Sequence, residues 1–214
     1  MVERAKDFVK KCTTGDASGH DYFHTLRVLE LSRTLAQAEC ENSDVDMEAV
    51  QLIALLHDVD DRKLSPDTCK NQDRARTFLM EQGLDSARIE WILLGIRQIS
   101  FKGKDSVSPD SLEARIVQDA DRLDAIGAIG IARTFAFGGS RGSAMYDPDV
   151  PPRLNMDAEA YAANRSHTIN HFYEKLLLLK DMMNTETGKA MALHRHGFME
   201  AFLDEFYREW DGRV

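Results

Sequence analysis

Two histidines and a group of aspartates in this chain have the side chains and the spacing of a metal-binding set. His24 begins one segment with a helical apolar pattern, and the pair His57-Asp58 closes the apolar run 49–56. An imidazole and a carboxylate at the end of such a run are costly to bury without partners, and a divalent metal ion would be a suitable partner. An aspartate from the segment 118–124 would add a second carboxylate.

Two imidazoles and two carboxylates from three helices are a ligand set that a helical protein can hold rigidly. Two carboxylates neutralise a dication, and nitrogen and oxygen ligands suit Mn, Fe, Co, Ni, Zn or Mg rather than a thiophilic ion. Four such ligands on an octahedral ion leave two positions, one for a water molecule and one for a substrate oxygen. The ion would lower the pKa of that water and polarise the ester or anhydride that it attacks.

Each of these residues alone has a simpler interpretation. A histidine at a helix start is often a cap or a surface residue, and Asp119, Asp121 and Asp124 could form a solvated face with Arg115 and Arg122. What favours a metal site is the ordered set, because each member falls on a predicted helix and two of them follow strongly apolar residues.

Composition limits the classes of protein that fit. The chain has 214 residues with 43% hydrophobic content, enough for an ordinary core, and its net charge of −9 argues against a general nucleic-acid binder. Three isolated cysteines without a CxxC spacing make disulfides and a thiolate zinc site improbable and fit the cytoplasm. No apolar run is long enough to span a membrane, and the N-terminus lacks the apolar region of a signal peptide.

The elements that would position these residues are helices, since the alternation typical of strands is nearly absent. We predict an all-α protein. The residues 138–152 form the longest irregular segment, rich in Gly, Arg, Asp and Pro, which suggests either a mobile flap or a subunit contact. The apolar spacing predicts a helix over 2–12, a second that starts at about Tyr22 and a third that ends at His57-Asp58. It predicts further helices near 70–82, 85–97, 111–137, 158–182 and 187–210.

Three motifs carry a resemblance to a known family. They are His24-x-x-Arg27-Val28, Leu55-Leu56-His57-Asp58 and Asp119-Ala120-Asp121-Arg122-Leu123-Asp124-Ala125. Together they resemble the HD-domain superfamily of metal-dependent phosphohydrolases, and the segments 118–133, 170–176 and 183–187 narrow the likeness to a bacterial subfamily of predicted HD phosphohydrolases. The resemblance implies one all-α domain over 1–214, with an HD core at about 20–130 and a C-terminal helical extension at about 153–210.

The resemblance also implies roles for particular residues. It makes His24, His57, Asp58 and Asp121 the metal ligands, with Asp121 preferred to its neighbour Asp119. Asp61 matches an acidic residue that related nucleotidases place beside the attacking water, so we expect it to act as general acid/base or to position that water. Its alternative is a cap or a salt bridge with Arg62 or Lys63.

Substrate-binding candidates are His20, Arg27 and Lys102. His20 precedes His24 by four residues, so in a continuous helix both would share a face, although Gly19 interrupts that pattern. Arg27, one turn after His24, would bind a substrate phosphate or pair with a nearby aspartate. Lys102 and its neighbour Lys104 lie in a glycine-containing loop and are either phosphate contacts or solvated side chains.

No histidine lies between Asp58 and His167, whereas dinuclear HD phosphodiesterases use extra histidines there. We therefore expect one divalent metal ion and a cytoplasmic phosphohydrolase that acts on a nucleotide or another small phosphate ester through a metal-activated water. Two alternatives stay open: hydrolysis of a pyrophosphate-containing, alarmone-like nucleotide, and a non-catalytic, metal-stabilised helical binding or regulatory protein. A homodimer is possible, and polymeric nucleic acid and membranes are not expected partners.

Overall fold

The computed structural model describes residues 1–13, 21–40, 43–61, 65 and 67–213. These residues form helices and connecting loops without a strand, so the prediction of an all-α fold is confirmed. The α-helices are α1 (Val2–Cys12), α2 (Tyr22–Glu39), α3 (Met47–Leu56), α4 (Asp73–Glu81), α5 (Ser86–Arg97), α6 (Leu112–Asp124), α7 (Gly127–Ser140), α8 (Ala158–Ala163), α9 (Asn170–Glu174) and α10 (Glu186–Trp210). A 3-10 helix covers Leu176–Met182.

The packing of the backbone divides the chain into two compact units. The first contains residues 1–101 and 106–121, and the second contains 102–105 and 122–214, so the division falls in the last turn of α6. The expectation of one domain over 1–214 stays a prediction. No helix in the described parts of the chain combines the length and the apolar character needed to cross a bilayer.

Helix α3 is the centre of the first unit. It packs against α1, α2 and α5, and seven of its ten residues are fully shielded from solvent. That burial on several sides explains why the run 49–56 is apolar without a polar face. The helix therefore delivers the residues that follow it, His57 and Asp58, into the interior of this unit.

The N-terminal end of α3 is fixed by polar contacts. Asp46 is the N-cap, and its carboxylate accepts a hydrogen bond from the backbone N–H of Ala49 at 3.0 Å. The backbone N–H of Asp46 in turn donates to Glu113 of α6 at 3.1 Å, and Arg88 pairs with the Asp46 carboxylate at 2.5 Å. These contacts set the axial position of the helix that carries the site.

In the second unit α7 packs against α10, and an aromatic cluster lies between helices of the C-terminal part. The Phe135 ring lies 5.9 Å from that of Phe202 and 6.5 Å from that of Phe206. Gly130 allows α7 to start close to the end of α6, because a Cβ at this position would lie 2.2 Å from the carbonyl oxygen of Ala125.

The loop between α7 and α8 is tied to the segment 167–174 by several hydrogen bonds. The backbone N–H of Thr168 donates to the Ala144 carbonyl at 2.9 Å, and the Asn170 amide donates to the Val150 carbonyl at 2.9 Å. Arg153 donates its backbone N–H to the Glu174 carboxylate at 3.0 Å. Whether the segment 138–152 acts as a flap or as a subunit contact stays a prediction.

Two of the predicted helices are wrong in extent. The segment 158–182 is not one helix but α8, α9 and the 3-10 helix, and the backbone is extended at Asn164, the C-cap of α8. Side chains there bond to neighbouring polar groups in place of the helical ladder, such as Asn164 to Glu174 at 2.7 Å. The segment 111–137 is divided at 125–126, where Gly127 begins the next helix with a positive φ of 74°.

Candidate metal centre

His24 lies in the first turn of α2 and is almost fully buried. Asp21 is the N-cap of this helix, and its carboxylate accepts a hydrogen bond from the backbone N–H of His24 at 2.7 Å. The cap therefore fixes the backbone of the residue whose imidazole enters the site.

His57 follows α3 directly, at its C-cap position, and is also buried. Its Nδ1 lies 2.8 Å from the carbonyl oxygen of Ala54. Because a carbonyl oxygen only accepts, Nδ1 carries a proton and donates it in this contact. In the neutral imidazole the lone pair is then on Nε2, which is the atom directed at the carboxylates.

The carboxylate of Asp58 brings the two imidazoles together. Its Oδ2 lies 3.3 Å from the Nε2 of His24 and 3.3 Å from the Nε2 of His57. Each of these three buried residues offers one ligand atom that lies within 4.8 Å of the ligand atoms of the other two. Asp121 on α6 joins them, with its Oδ1 3.5 Å from the Nε2 of His24 and 3.9 Å from the Nε2 of His57.

These separations fit a divalent metal ion. Two atoms bound to the same ion at about 2.0–2.2 Å cannot be more than about 4.4 Å apart, and neighbouring ligands are typically about 3.0–3.6 Å apart. The four distances from the imidazole nitrogens to the carboxylate oxygens of Asp58 and Asp121, 3.3–3.9 Å, are all within that limit. The set of two neutral nitrogen donors and two anionic oxygens suits a borderline or hard dication.

The charges around His57 also favour a cation in this site. Burial alone lowers the pKa of His57, but the carboxylates of Asp58 and Asp121 outweigh it and raise that pKa to about 10. The metal-free site therefore recruits a proton onto an imidazole at neutral pH. A cation placed among these groups would supply the positive charge that the proton otherwise provides, which is what a metal centre requires.

The HD-family resemblance predicts Asp121 rather than Asp119 as the fourth ligand, and that choice stays a prediction. Asp119 is fully buried in α6, whereas Asp121 keeps about a quarter of its side chain exposed and its Oδ1 faces both imidazoles.

Three of the other predicted site residues lie in the described part of the chain. Asp61 is half-buried in the turn after Asp58, and its backbone N–H donates to the Asp58 carbonyl at 2.9 Å. Arg27 is half-buried on α2, one turn after His24, and Lys102 is exposed in the second unit. His20 lies outside the described residues. The roles assigned to these four residues stay predictions.

Sequence reasoning did not identify Asp60, which precedes Asp61 in the turn. Asp60 is buried, and its two carboxylate oxygens accept backbone hydrogen bonds from Arg74 at 3.2 Å and from Ala75 at 2.9 Å. The signal for it was weak, because an aspartate in an acidic, polar turn is ordinarily a solvated side chain.

Comparisons with known proteins show what this chain is similar to. A model of the HD domain family matches residues 21–126. The chain is 37% identical to YpgQ of Bacillus subtilis, an uncharacterized protein, over 99% of this chain and 95% of YpgQ.

Three solved structures are similar over nearly their whole length. A Lactobacillus plantarum protein has a TM-score of 0.87 and 37% identity, covering 99% of this chain and 97% of that one. An HD-superfamily hydrolase from Bacillus thuringiensis has a TM-score of 0.72 and 39% identity, with the same two coverages. Bacillus subtilis YpgQ, solved in complex with ADP, has a TM-score of 0.76 and 32% identity in the structural alignment, covering 98% and 97%.

Proposed function

Because this chain belongs to the HD superfamily, whose solved relatives include an HD-superfamily hydrolase, we propose that it is a metal-dependent phosphohydrolase. Its proposed substrate is a nucleotide or another small phosphate ester. The observation that carries the proposal is the convergence of His24, His57 and Asp58, which are buried and whose ligand atoms lie within 4.8 Å of one another.

We propose His24, His57, Asp58 and Asp121 as the residues that hold one divalent ion. Such an ion, when bound, supplies Lewis-acid chemistry, polarising a phosphate oxygen and increasing the acidity of water. The chain contributes rigidity to this arrangement, because the Ala54 carbonyl orients the His57 ring through Nδ1.

We propose the remaining roles from the positions of the residues in the chain. Asp61 lies in the same turn as Asp58, and we propose that its carboxylate accepts a proton from the attacking water or orients that water. Arg27, one helical turn from His24, is proposed to offset charge that develops on the phosphate oxygens. Lys102 and His20 remain further candidates for contact with the phosphate.

The nucleotide part of the proposal is supported by one relative. YpgQ was crystallised with ADP, and it resembles this chain over nearly its whole length. ADP also contains a phosphoanhydride bond, which favours a second candidate: hydrolysis of a pyrophosphate-containing nucleotide. We propose the cytoplasm as the compartment, on the isolated cysteines of the chain.

Hydrolysis of a substrate panel tests the proposal. Metal-stripped protein is reloaded separately with manganese, cobalt, nickel, zinc or magnesium and incubated with nucleoside mono-, di- and triphosphates and an aryl phosphate. Asp58→Asn, which keeps the size of the side chain, is the inactive variant, and Asp85→Asn, at the exposed N-cap of α5, is the matched control.

We expect turnover that requires a metal, disappears in Asp58→Asn and is retained in Asp85→Asn. Release of orthophosphate from monophosphates would identify a phosphomonoesterase, and release of pyrophosphate from triphosphates would identify the second candidate. Tight metal binding without turnover of any compound would contradict the phosphohydrolase and favour a metal-stabilised binding protein.

A further inference from the structure

The turn after His57 is connected to helix α4 through one carboxylate. Asp60 is buried, with 7% of its surface exposed, and it accepts hydrogen bonds from two successive backbone N–H groups, those of Arg74 and Ala75. Both donors lie in the first turn of α4. Asp60 thus does for α4 what an N-cap residue normally does, from more than a dozen residues away in the chain.

Helix α4 needs this contact because its own N-cap residue does not supply one. Gln72 at that position has a left-handed backbone, with φ 57°, and its side chain makes no capping hydrogen bond. Instead the Gln72 amide oxygen accepts from the Arg97 guanidinium at 2.7 Å. The N–H of Asp73 donates to the Thr68 carbonyl at 3.4 Å, and the next two, those of Arg74 and Ala75, donate to Asp60. Asp60 also places a negative charge at the positive end of the helix.

The same turn is held on its other side by Ser65. The Ser65 hydroxyl donates to the carbonyl of Val59 at 3.1 Å, and its backbone N–H donates to the carbonyl of Asp61 at 2.7 Å. The backbone N–H of Asp61 donates to the carbonyl of Asp58 at 2.9 Å. The residues from Asp58 to Asp61 therefore form one hydrogen-bonded unit, and Asp60 is the side chain that attaches it to α4.

We propose that Asp60 is a positioning residue of the metal centre. By accepting hydrogen bonds from the N-terminus of α4, it holds the turn in the position in which the Asp58 carboxylate lies beside both imidazoles. The inference rests on the proposed function, since it assumes that Asp58 and its neighbours hold a metal ion. Asp60 itself touches neither the ion nor the substrate.

The test compares Asp60→Ala with Asp85→Ala. Asp85 is the N-cap of α5, where its carboxylate accepts from the backbone N–H of Arg88 at 3.0 Å, so both variants remove an aspartate that caps a helix in the same unit. The readouts are the affinity for Mn²⁺ by titration calorimetry of the full-length, metal-stripped protein and the thermal midpoint without metal. Wild type and Asp58→Ala are measured beside them.

We expect Asp60→Ala to weaken Mn²⁺ binding by about tenfold or more, as loss of supporting contacts does at other metal sites, while Asp85→Ala binds as wild type does. Asp60→Asn keeps one acceptor oxygen but turns an amide N–H toward the second donor, so its affinity should lie between those of wild type and Asp60→Ala. If Asp60→Ala does not fold, Asp60→Asn carries the test.

The outcomes separate the two claims. Wild-type protein that binds no Mn²⁺ would contradict the proposed metal centre. Wild-type protein that binds Mn²⁺, with the Asp60 variants binding equally well, would overturn the positioning role of Asp60 and leave the metal centre standing. A loss of affinity in Asp85→Ala as large as that in the Asp60 variants would also overturn it, because general destabilisation would then explain both.

Discussion

Raising the pH should destabilise the metal-free protein because of His57. The carboxylates around this buried imidazole raise its pKa to about 10, against an ordinary value of 6.5 in the unfolded chain. Below pH 6.5 the imidazole is protonated in both states and its full contribution to stability is present. As the pH rises from 6.5 through about 10, the folded state holds a proton that the unfolded state has lost, so that contribution falls.

The size of the effect follows from the difference between the pKa of His57 in the folded chain and its pKa in the unfolded chain. At about 1.4 kcal/mol per pH unit, the difference between 6.5 and about 10 corresponds to at most about 5 kcal/mol of unfolding free energy. That is a large share of the about 5–15 kcal/mol that stabilises a typical folded protein. Mn²⁺ should act in the opposite direction, since a bound metal replaces the proton and binds better as the imidazole deprotonates.

Urea unfolding measures this pH dependence of stability directly. Wild type and His57→Gln are unfolded at pH 6.5, 8.0 and 9.5, each with chelator and with saturating Mn²⁺. The variant lacks the titrating group, so the difference between the two pH profiles isolates His57 from the cysteines and tyrosines. We expect a steep fall for metal-free wild type, a shallower one for His57→Gln, and loss of the steep fall with Mn²⁺. Parallel profiles, within about 1 kcal/mol across this range, would refute the reasoning.

Three further outcomes are expected. Mn²⁺ at about 100 times its Kd should add about 2.7 kcal/mol to the unfolding free energy of wild type and nothing to that of Asp58→Ala, measured by urea titration. Arg133→Ala removes the guanidinium that pairs at 2.6 Å with the buried carboxylate of Asp124, and should cost about 3 kcal/mol by the same assay; a change under about 0.5 kcal/mol would contradict this. Gly130→Ala should lower the unfolding free energy by about 1–3 kcal/mol, because its Cβ would lie 2.2 Å from a backbone carbonyl oxygen. Gly139→Ala on the same helix meets open space and should be neutral or stabilising, and thermal unfolding measures both variants.

The parts of the site that were predictable from the sequence are those that local pattern determines. The apolar run 49–56 indicated a buried helix, and the polar pair that follows it had to find partners in the interior. His24 followed from its place at the start of a second helical pattern. The choice between Asp119 and Asp121 depended on resemblance to the HD family, because both lie on the same short segment of α6.

The parts that were not predictable are contacts between distant residues. Asp60 binds N–H groups more than a dozen residues later, and Glu113 binds Asp46 across 67 positions, so no local spacing signals either contact. The predicted helix over 158–182 failed for a related reason. Its apolar residues have helical spacing, but Asn164 and Asn170 bond to the Glu174 carboxylate and the Val150 carbonyl in the folded chain.

Crystals grown with Mn²⁺, with anomalous diffraction recorded at the manganese edge, would test the central claim most directly. The account predicts one strong anomalous peak within about 2–2.5 Å of the imidazole Nε2 atoms of His24 and His57 and of the carboxylates of Asp58 and Asp121. No peak among these four side chains, or a peak bound by other residues alone, would contradict the assignment of this cluster as the metal centre.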